Sequence, residues 1–512
     1  MSGETRKHNG NSILRVVLVA FSLLFQIAWL MLLAFRLSNY SAWITATIYI
    51  LAVVVVLRLY SKHTTAAMKM PWIMLILASP VMGLSLYVLI EIFGDMGNMK
   101  KRLAKSRADT LERLRPDEDA LARLSEQNLS AANISRYLQT HAASPLYQGT
   151  DAVHYACAAD AFAQMKADLE KAESFIFLEY FIVSEGSAFA ELENILVRKA
   201  KQGVDVRLMY DDIGSIGYVN FKFARGLNAS GIRCRVFNPA TPVLNLFLNH
   251  RDHRKIAVID GKVGYTGGYN LSDEYFDRKF PYGKWKDTGV RLEGEGVRSL
   301  TAAFLEMWNA SLGSKEKSET YLGVRHSVPC EGFVQPFADD PLLPERVAES
   351  VYLHMINCAQ KSLYVMTPYL IITDEMSCAL GLAAKRGVDV RIITPGIPDK
   401  KTVYSVTRSY YAGLTRQGVR IYEFTPGFCH AKQCICDGKM ASVGTSNLDY
   451  RSLYLHFENN VFLCGNRAVA QIAQDFEETL PQCAEVTEKY RNDRPATTRI
   501  WQCILRLFAP LM

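Results

Sequence analysis

Two stretches decide how this chain is read, "DHRKIAVIDG" (252–261) and "CHAKQCICDG" (429–438). Each carries a His, a Lys two residues on, and an Asp-Gly pair further along. Each is followed by a Gly turn ending in Asn, "GGYN" (267–270) and "GTSN" (444–447), and the His-to-Asn interval is the same in both. "KIAVID" and "QCICD" have strand character, and side chains two apart on a strand share a face. His253 with Lys255, and His430 with Lys432, therefore point into one pocket. Imidazole serves as nucleophile or as general acid and base near neutral pH. A lysine ammonium is a point charge suited to a phosphate oxygen. The Gly turns admit close backbone approach, and Asn270 and Asn447 add neutral donors to the same oxygens. Such a set suits a phosphodiester. One histidine cannot stand on both sides of a phosphorus atom, but two copies about a pseudo-twofold axis can, one attacking while the other protonates the leaving oxygen.

The repetition extends well beyond the motifs. "ESFIFLEYFIV" (173–183) parallels "KSLYVMTPYLI" (361–371), and "KQGVDVRLMYD" (201–211) parallels "KRGVDVRIITP" (385–395). "GLNASGIRCRVFNP" (226–239) parallels "GLTRQGVRIYEFTP" (413–426). Short apolar β-rich runs alternate with amphipathic helical ones, so the body is an α/β fold used twice. Gly203 and Gly387 are placed to end a helix before a strand. An extra piece, "ATPVLNLFLNH" (240–250), precedes the first motif only. It is either a loop that meets lipid or a plain connection.

The 512 residues exceed one ordinary domain, and the net charge of +7 fits anionic lipid or phosphate without demanding nucleic acid. The eleven cysteines are odd in number and irregularly spaced, as expected of reduced thiols. Cys429, Cys434 and Cys436 read as strand packing rather than a zinc site. Three apolar runs open the chain, at 16–35, 42–57 and 72–93, the last with Pro80 and Gly83 able to kink it. They predict a multi-pass membrane anchor of two or three spans. Basic clusters stand before the first run (Arg6, Lys7, Arg15), after the second (Arg58, Lys62, Lys69) and after the third (Lys100 to Arg107). Three spans cannot place all of them on one side. The density of the last cluster favours a body facing the cytoplasm.

The two blocks resemble the paired His-Lys-Asp motifs of the phospholipase D superfamily. "NHRDHRKIAVIDGKVGYTGGYNLSDEYF" (249–276) and "VGTSNLDYRSLYLHFENN" (443–460) resemble its bacterial cardiolipin synthases, as do "YDDIGS" (210–215) and "LRLFAPLM" (505–512). The resemblance implies two phospholipase D-like domains packed with pseudo-twofold symmetry behind transmembrane helices. The expected divisions are a membrane anchor at 1–95, a basic juxtamembrane linker at 96–140, domains at 141–325 and 326–490, and an apolar tail at 491–512. It implies His253, Lys255, Asp260, His430, Lys432 and Asp437 as the catalytic set, with His253 the nucleophile by analogy with related phospholipases. Asp260 and Asp437 resemble supports for the fold in that family. Asn270 and Asn447 would hold substrate. Asp287 and Glu458 would orient the histidines and favour imidazolium. His456 stands where family members usually carry Asn, and is expected to be a neighbour of the site.

The function so implied is transfer of a phosphatidyl group between two phosphatidylglycerol molecules, giving cardiolipin and glycerol through a phosphohistidine. No metal or cofactor is expected, because lysine, asparagine and imidazolium supply the positive charge. The alternatives are a phospholipase D-type hydrolase and a transferase with another alcohol acceptor, which the motifs do not separate. The anchor favours transfer by concentrating lipid. A nuclease lacks support in the charge and in any aromatic-basic groove. The tail "IWQCILRLFAPLM" (500–512) is too short to span and belongs either to the membrane interface or to the core.

Overall fold

The computed structural model describes residues 42–93, 97–114, 117–220, 222–239, 249–312, 316, 318–492 and 495–511, with seven single helical positions between 17 and 32. Most of the first apolar run and most of the 240–250 insertion lie outside the described residues. In the first half, strands β1 (Thr150–Tyr155), β2 (Phe175–Tyr180), β3 (Asp205–Asp211), β4 (Arg233–Phe237), β5 (Lys255–Ile259), β6 (Val263–Gly267) and β7 (Gly289–Gly294) form one sheet. Its order is β1-β7-β6-β5-β2-β3-β4. The second half has β8 (Phe333–Asp339), β9 (Ser362–Met366), β10 (Asp389–Pro395), β11 (Arg420–Phe424), β12 (Gln433–Cys436), β13 (Met440–Gly444) and β14 (His456–Cys464). Their order is β8-β14-β13-β12-β9-β10-β11, with β15 (Cys483–Glu485) added at the edge. The two orders match strand for strand. In each, three strands run parallel through helical crossovers and the remainder pair antiparallel. The repeat expected from sequence is thus a repeat of topology.

Asp260 and Asp437 set the register of both halves. Each starts a tight hairpin turn with positive φ at the Asp and the following Gly: 53° and 66° at Asp260-Gly261, 53° and 65° at Asp437-Gly438. Asp260 then accepts from the backbone N–H groups of Glu173, Ser174 and Phe175 at 2.8, 2.7 and 2.8 Å. Asp437 accepts from Gln360, Lys361 and Ser362 at 3.0, 2.7 and 2.9 Å. The segments entering β2 and β9 are therefore equivalent as 173–175 and 360–362. The alignment of 173–183 with 361–371, which matched Ser174 to Ser362, is out by one residue. Backbone hydrogen bonding, blind to side-chain identity, decides the register.

Two of the expected divisions change. Residues 96–140 are no linker: helices Gly97–Leu111, Glu118–Gln127 and Leu129–His141 are built into the body. Met99 and Leu103 enter a core with Phe177 and Phe304, while Leu124, Ile134 and Leu138 enter the other with Leu363 and Ile392. Arg107 pairs with Glu306 at 3.3 Å and with Asp340 at 3.2 Å, one carboxylate from each half. A polar composition with apolar residues every third or fourth position is that of a surface helix, and the sequence reading missed the period. The 491–512 segment likewise contains a docked helix, Ala496–Leu507.

Among the described residues one helix is long and apolar enough to cross a bilayer, Trp43–Ser61. The third run was expected as a kinked span and instead forms two short helices, Ala66–Ala78 and Pro80–Phe93. Pro80 forces Ser79 out of helical geometry (φ −144°, ψ 83°). Gly83 then lies against the Ile76 backbone, closer than any side chain permits, and Trp72 meets Tyr87 at 5.7 Å. The chain folds back as a helical hairpin.

Asp260→Ala is expected to lower stability by about 3 kcal/mol, since three N–H groups lose a charged acceptor. Asp260→Asn should lose less, and the rate per folded molecule should hold in both. Denaturant unfolding in detergent, followed by tryptophan fluorescence beside a rate assay, checks this. A lost rate at unchanged stability would return the carboxylate to the chemistry.

Candidate active site

Each motif histidine is fixed by the opposite half. The two residues before His253 (Arg251–Asp252) pair in parallel with His456–Phe457 of β14. The short strand before His430 (Gly427–Cys429) pairs with Lys284–Lys286 in the first half. The crossing continues in single bonds: His253 N donates to Phe457 O at 2.9 Å, and His430 N donates to Lys286 O at 2.7 Å. One residue further on each partner strand stands a buried carboxylate. His253 Nδ1 lies 2.9 and 3.0 Å from the Glu458 oxygens, and His430 Nδ1 lies 2.6 Å from Asp287 Oδ2.

These carboxylates are themselves held, by different means. Ser452 donates to Glu458 at 2.7 Å, and Thr445 donates to its other oxygen. Asp287 accepts from Thr288 N at 2.9 Å. It presses so closely on Gly268 that a side chain there would strike it. Gly268 and Thr445 occupy the same place in the two Gly turns, so a hydroxyl in one half replaces a space in the other. With hydroxyls donating to Glu458, the carboxylate accepts from Nδ1–H of His253, leaving Nε2 with its lone pair.

Lys255 and Lys432 are almost wholly buried, and each donates to the carbonyl of its own histidine, Lys255 at 2.6 Å. Two further donors remain on each ammonium. Burial pushes Lys255 down to about 7 against Glu458, and Lys432 down to about 8 against Asp287 and Glu458. Burial and Lys432 push His430 down to about 4, with Asp287 opposing. Burial, then Lys255, His456, Lys432 and His430, push His253 well below the usual histidine range. Burial raises Glu458, with Lys255, Thr445 and Ser452 opposing. Desolvation and the neighbouring cations thus act against the imidazolium form that the carboxylates were expected to favour.

Asn270 accepts from Ile182 N at 3.0 Å and donates to Tyr275 Oη at 2.8 Å, leaving one amide hydrogen uncommitted. Asn447 lies beside Asp449, and its carbonyl oxygen is buried with no hydrogen-bond partner. Asp260 and Asp437, grouped with the catalytic residues on sequence, are placed elsewhere. Their carboxylates are occupied at the far ends of β5 and β12 by the backbone bonds described above.

The sequence reading missed the groups that support the site. Thr445 and Ser452 are ordinary hydroxyls until Glu458 is placed between them. Asp475 accepts from Gln433 at 2.9 Å and from Lys286, and meets His154 at 3.3 Å. Against the upward push of burial, His154 and Lys286 hold it down at about 2. It thus braces the strand whose carbonyl holds His430. Aromatic rings line the histidines: Phe181 lies 4.9 Å from His253, and Tyr275 and Trp285 each lie 5.4 Å from His430. His456, 5.4 Å from His253, is the pseudo-symmetric counterpart of Trp285. Donor atoms of His253, His456 and Glu458 lie within 4.8 Å of one another, the one such group among the described residues. Both Glu458 oxygens there already accept from His253, Thr445 or Ser452.

A family model described as cardiolipin synthase, PLD-like domain, matches residues 165–308 and 352–480, one stretch in each half. A protein of Streptococcus mutans without assigned function is 40% identical over 457 residues, 89% of this chain and 99% of that one. The cardiolipin synthase of Alkalihalophilus pseudofirmus is 32% identical, covering 97% of this chain and 99% of its own. That of Halalkalibacterium halodurans is 33% identical, covering 92% and 94%. In fold, the crystal structure of a phosphatidylserine synthase from Haemophilus influenzae superposes with a TM-score of 0.57 at 13% identity, over 75% of this chain and 99% of that one. Paired half-domains and near full-length similarity agree: the chain belongs to the cardiolipin synthase family of the phospholipase D superfamily.

Proposed function

We propose that the chain is a membrane-bound phosphatidyl transferase that makes cardiolipin from two molecules of phosphatidylglycerol. The observation that carries the mechanism is the crossed arrangement, in which two buried histidines are each oriented by a carboxylate of the opposite half. In the first step Nε2 of His253 attacks phosphorus and the bond to the glycerol oxygen breaks. His430, protonated once the phosphate anion is bound, gives its proton to that oxygen and glycerol leaves. In the second step neutral His430 takes the proton from a hydroxyl of a second phosphatidylglycerol. The freed oxygen attacks phosphorus, the P–N bond breaks, and cardiolipin departs.

Electrostatics supports this order of roles. His253 faces a carboxylate already shared with two hydroxyls, beside Lys255 and His456, and so resists protonation. His430 has the shorter bond, to an Asp that no side-chain hydroxyl shares, and is the easier ring to protonate. Lys255, Lys432, Asn270 and Asn447 hold the phosphoryl oxygens through the donors their internal bonds leave over. Asp260 and Asp437 serve the fold.

The membrane arrangement also becomes consistent. With the runs at 16–35 and 42–57 as the two spans, the 66–93 hairpin returns the chain to the side it entered. All three basic clusters then lie on one face, the cytoplasmic one, which three crossings could not achieve. The catalytic halves are the two phospholipase D-like domains, reaching the cytoplasmic leaflet.

Purified protein in vesicles of radiolabelled phosphatidylglycerol should give cardiolipin and free glycerol. His253→Ala and His430→Ala should each lower the rate by about 10³-fold or more, and denaturing the wild type during turnover in neutral detergent, which spares the acid-labile N–P bond, should recover phosphatidyl label on His253. Phosphatidic acid as the only product would make the protein a hydrolase. Glu458→Gln and Asp287→Asn should each cost about 10²-fold in kcat with folding intact, as judged by thermal unfolding. The lysines are cationic below their pKa values of about 7 and about 8 and neutral above. KM should therefore rise several-fold as pH climbs through that window, and initial rates in mixed micelles at fixed ionic strength would show it.

A further inference from the structure

The C-terminal helix Ala496–Leu507 meets the protein along a narrow stripe only. Leu505 is buried in the second-half core, Gln502 donates to Ser405 O, and the Arg506 guanidinium sits 4.2 Å from the centre of the Tyr410 ring. The opposite face is apolar and bare: Ile500 is 62% exposed, Trp501 57%, Ile504 48% and Phe508 47%. At 100° per residue these positions form one arc, which a soluble surface does not ordinarily leave open. The helix also packs on Ala66–Ala78, whose own Met70, Met74 and Leu77 are exposed and which follows the candidate span. Exposed apolar side chains thus stand on both of these packed helices.

Beside the helix runs a groove of about 480 Å³, bounded by Lys401, Tyr404, Arg408, Lys489, Thr498 and Gln502. The nearby acids are already paired, Glu423 with Arg408 at 2.7 Å and Glu488 with Arg491 at 2.9 Å. Lys401 and Lys489 are exposed and bring a net positive charge to the groove. Exposed apolar side chains on the helix, with lysines in the groove beside it, match the boundary between acyl chains and anionic headgroups.

We propose that this helix lies in the membrane interface with Ile500, Trp501, Ile504 and Phe508 among the acyl chains, and that Lys401 and Lys489 hold the phosphate of an anionic phospholipid in the adjoining groove. The surface is a second lipid contact, separate from the histidine pair and independent of the reaction proposed above. It ties the second half to the bilayer, as the N-terminal helices tie the first part of the chain.

The test uses the full chain in lipid nanodiscs, with Cys378→Ser and Cys503→Ser removing the exposed thiols and a nitroxide placed at Ile500→Cys, Ile504→Cys or Arg499→Cys. Collision with oxygen should be high and with a water-soluble nickel chelate low at 500 and 504, with the chelate rising at 499. High chelate access at 500 and 504 would place the face in water. Exclusion of both quenchers would mean a protein cover, either a second copy or the 16–35 run. Either result overturns the proposal, and two apolar positions keep the test decisive if one variant misfolds. In phosphatidylcholine discs titrated with phosphatidylglycerol, Lys401→Gln and Lys489→Gln should each raise the amount needed for half of the spectral change about fivefold. An unchanged titration would remove the groove from the proposal.

Discussion

The structure depends on one constraint, the exchange of backbone between the two halves at the strands that carry the histidines. Arg251–Asp252 extends the second sheet and Gly427–Cys429 pairs with the first half, so neither histidine is placed by its own domain. Each histidine N–H is then spent on a carbonyl across the boundary, and each imidazole on a carboxylate one residue further. A half-domain alone would have the motif and lack the orientation. Parallel strand pairing is rigid on the scale that in-line attack at phosphorus requires, and a misplacement of about 1 Å costs some 10²-fold.

Burial is the second governing effect. Two lysines and two histidines share a space from which water is nearly excluded, and their charged forms are correspondingly unfavourable. The negative charge of a phosphate entering this space would favour the ammonium and imidazolium forms. The mechanism proposed above couples binding to protonation in this way, with His430 acting as an acid only once the phosphate is bound. The carboxylates set the difference between the halves. Glu458 is shared with Thr445 and Ser452, whereas Asp287 meets His430 and the Thr288 backbone.

A good deal of this was legible in the chain itself. Repetition of His, Lys, Asp-Gly and Asn at equal intervals pointed to a duplicated fold, a shared pocket and phosphodiester chemistry. The matching glycines reported helix ends, and Gly203 and Gly387 do carry φ of 90° and 92°. What misled was local similarity without periodicity: the shared serine at 174 and 362 offered an alignment one residue off. The charged surface of 96–140 hid its buried stripe. In the third apolar run composition was right and length was not, because Pro80 and Gly83 turn the chain back.

The sequence by itself determined the residue types of the site, the twofold repeat and the apolar N-terminus, since each depends on spacing along one strand or helix. Tertiary structure alone decided which carboxylate serves which histidine, that Thr445 and Ser452 hold Glu458, and that Asp260 and Asp437 bind backbone instead of reacting atoms. The histidine–carboxylate pairings and the aspartate bonds rest on contacts between residues some 75 to 205 positions apart, Asp437 with Ser362 at the near end and His253 with Glu458 at the far one, whereas Thr445 and Ser452 stand 13 and 6 positions from the Glu458 they hold. No local pattern encodes such pairings. They arise only when two sheets of equal topology close on each other and leave a buried polar group one place to find its partner.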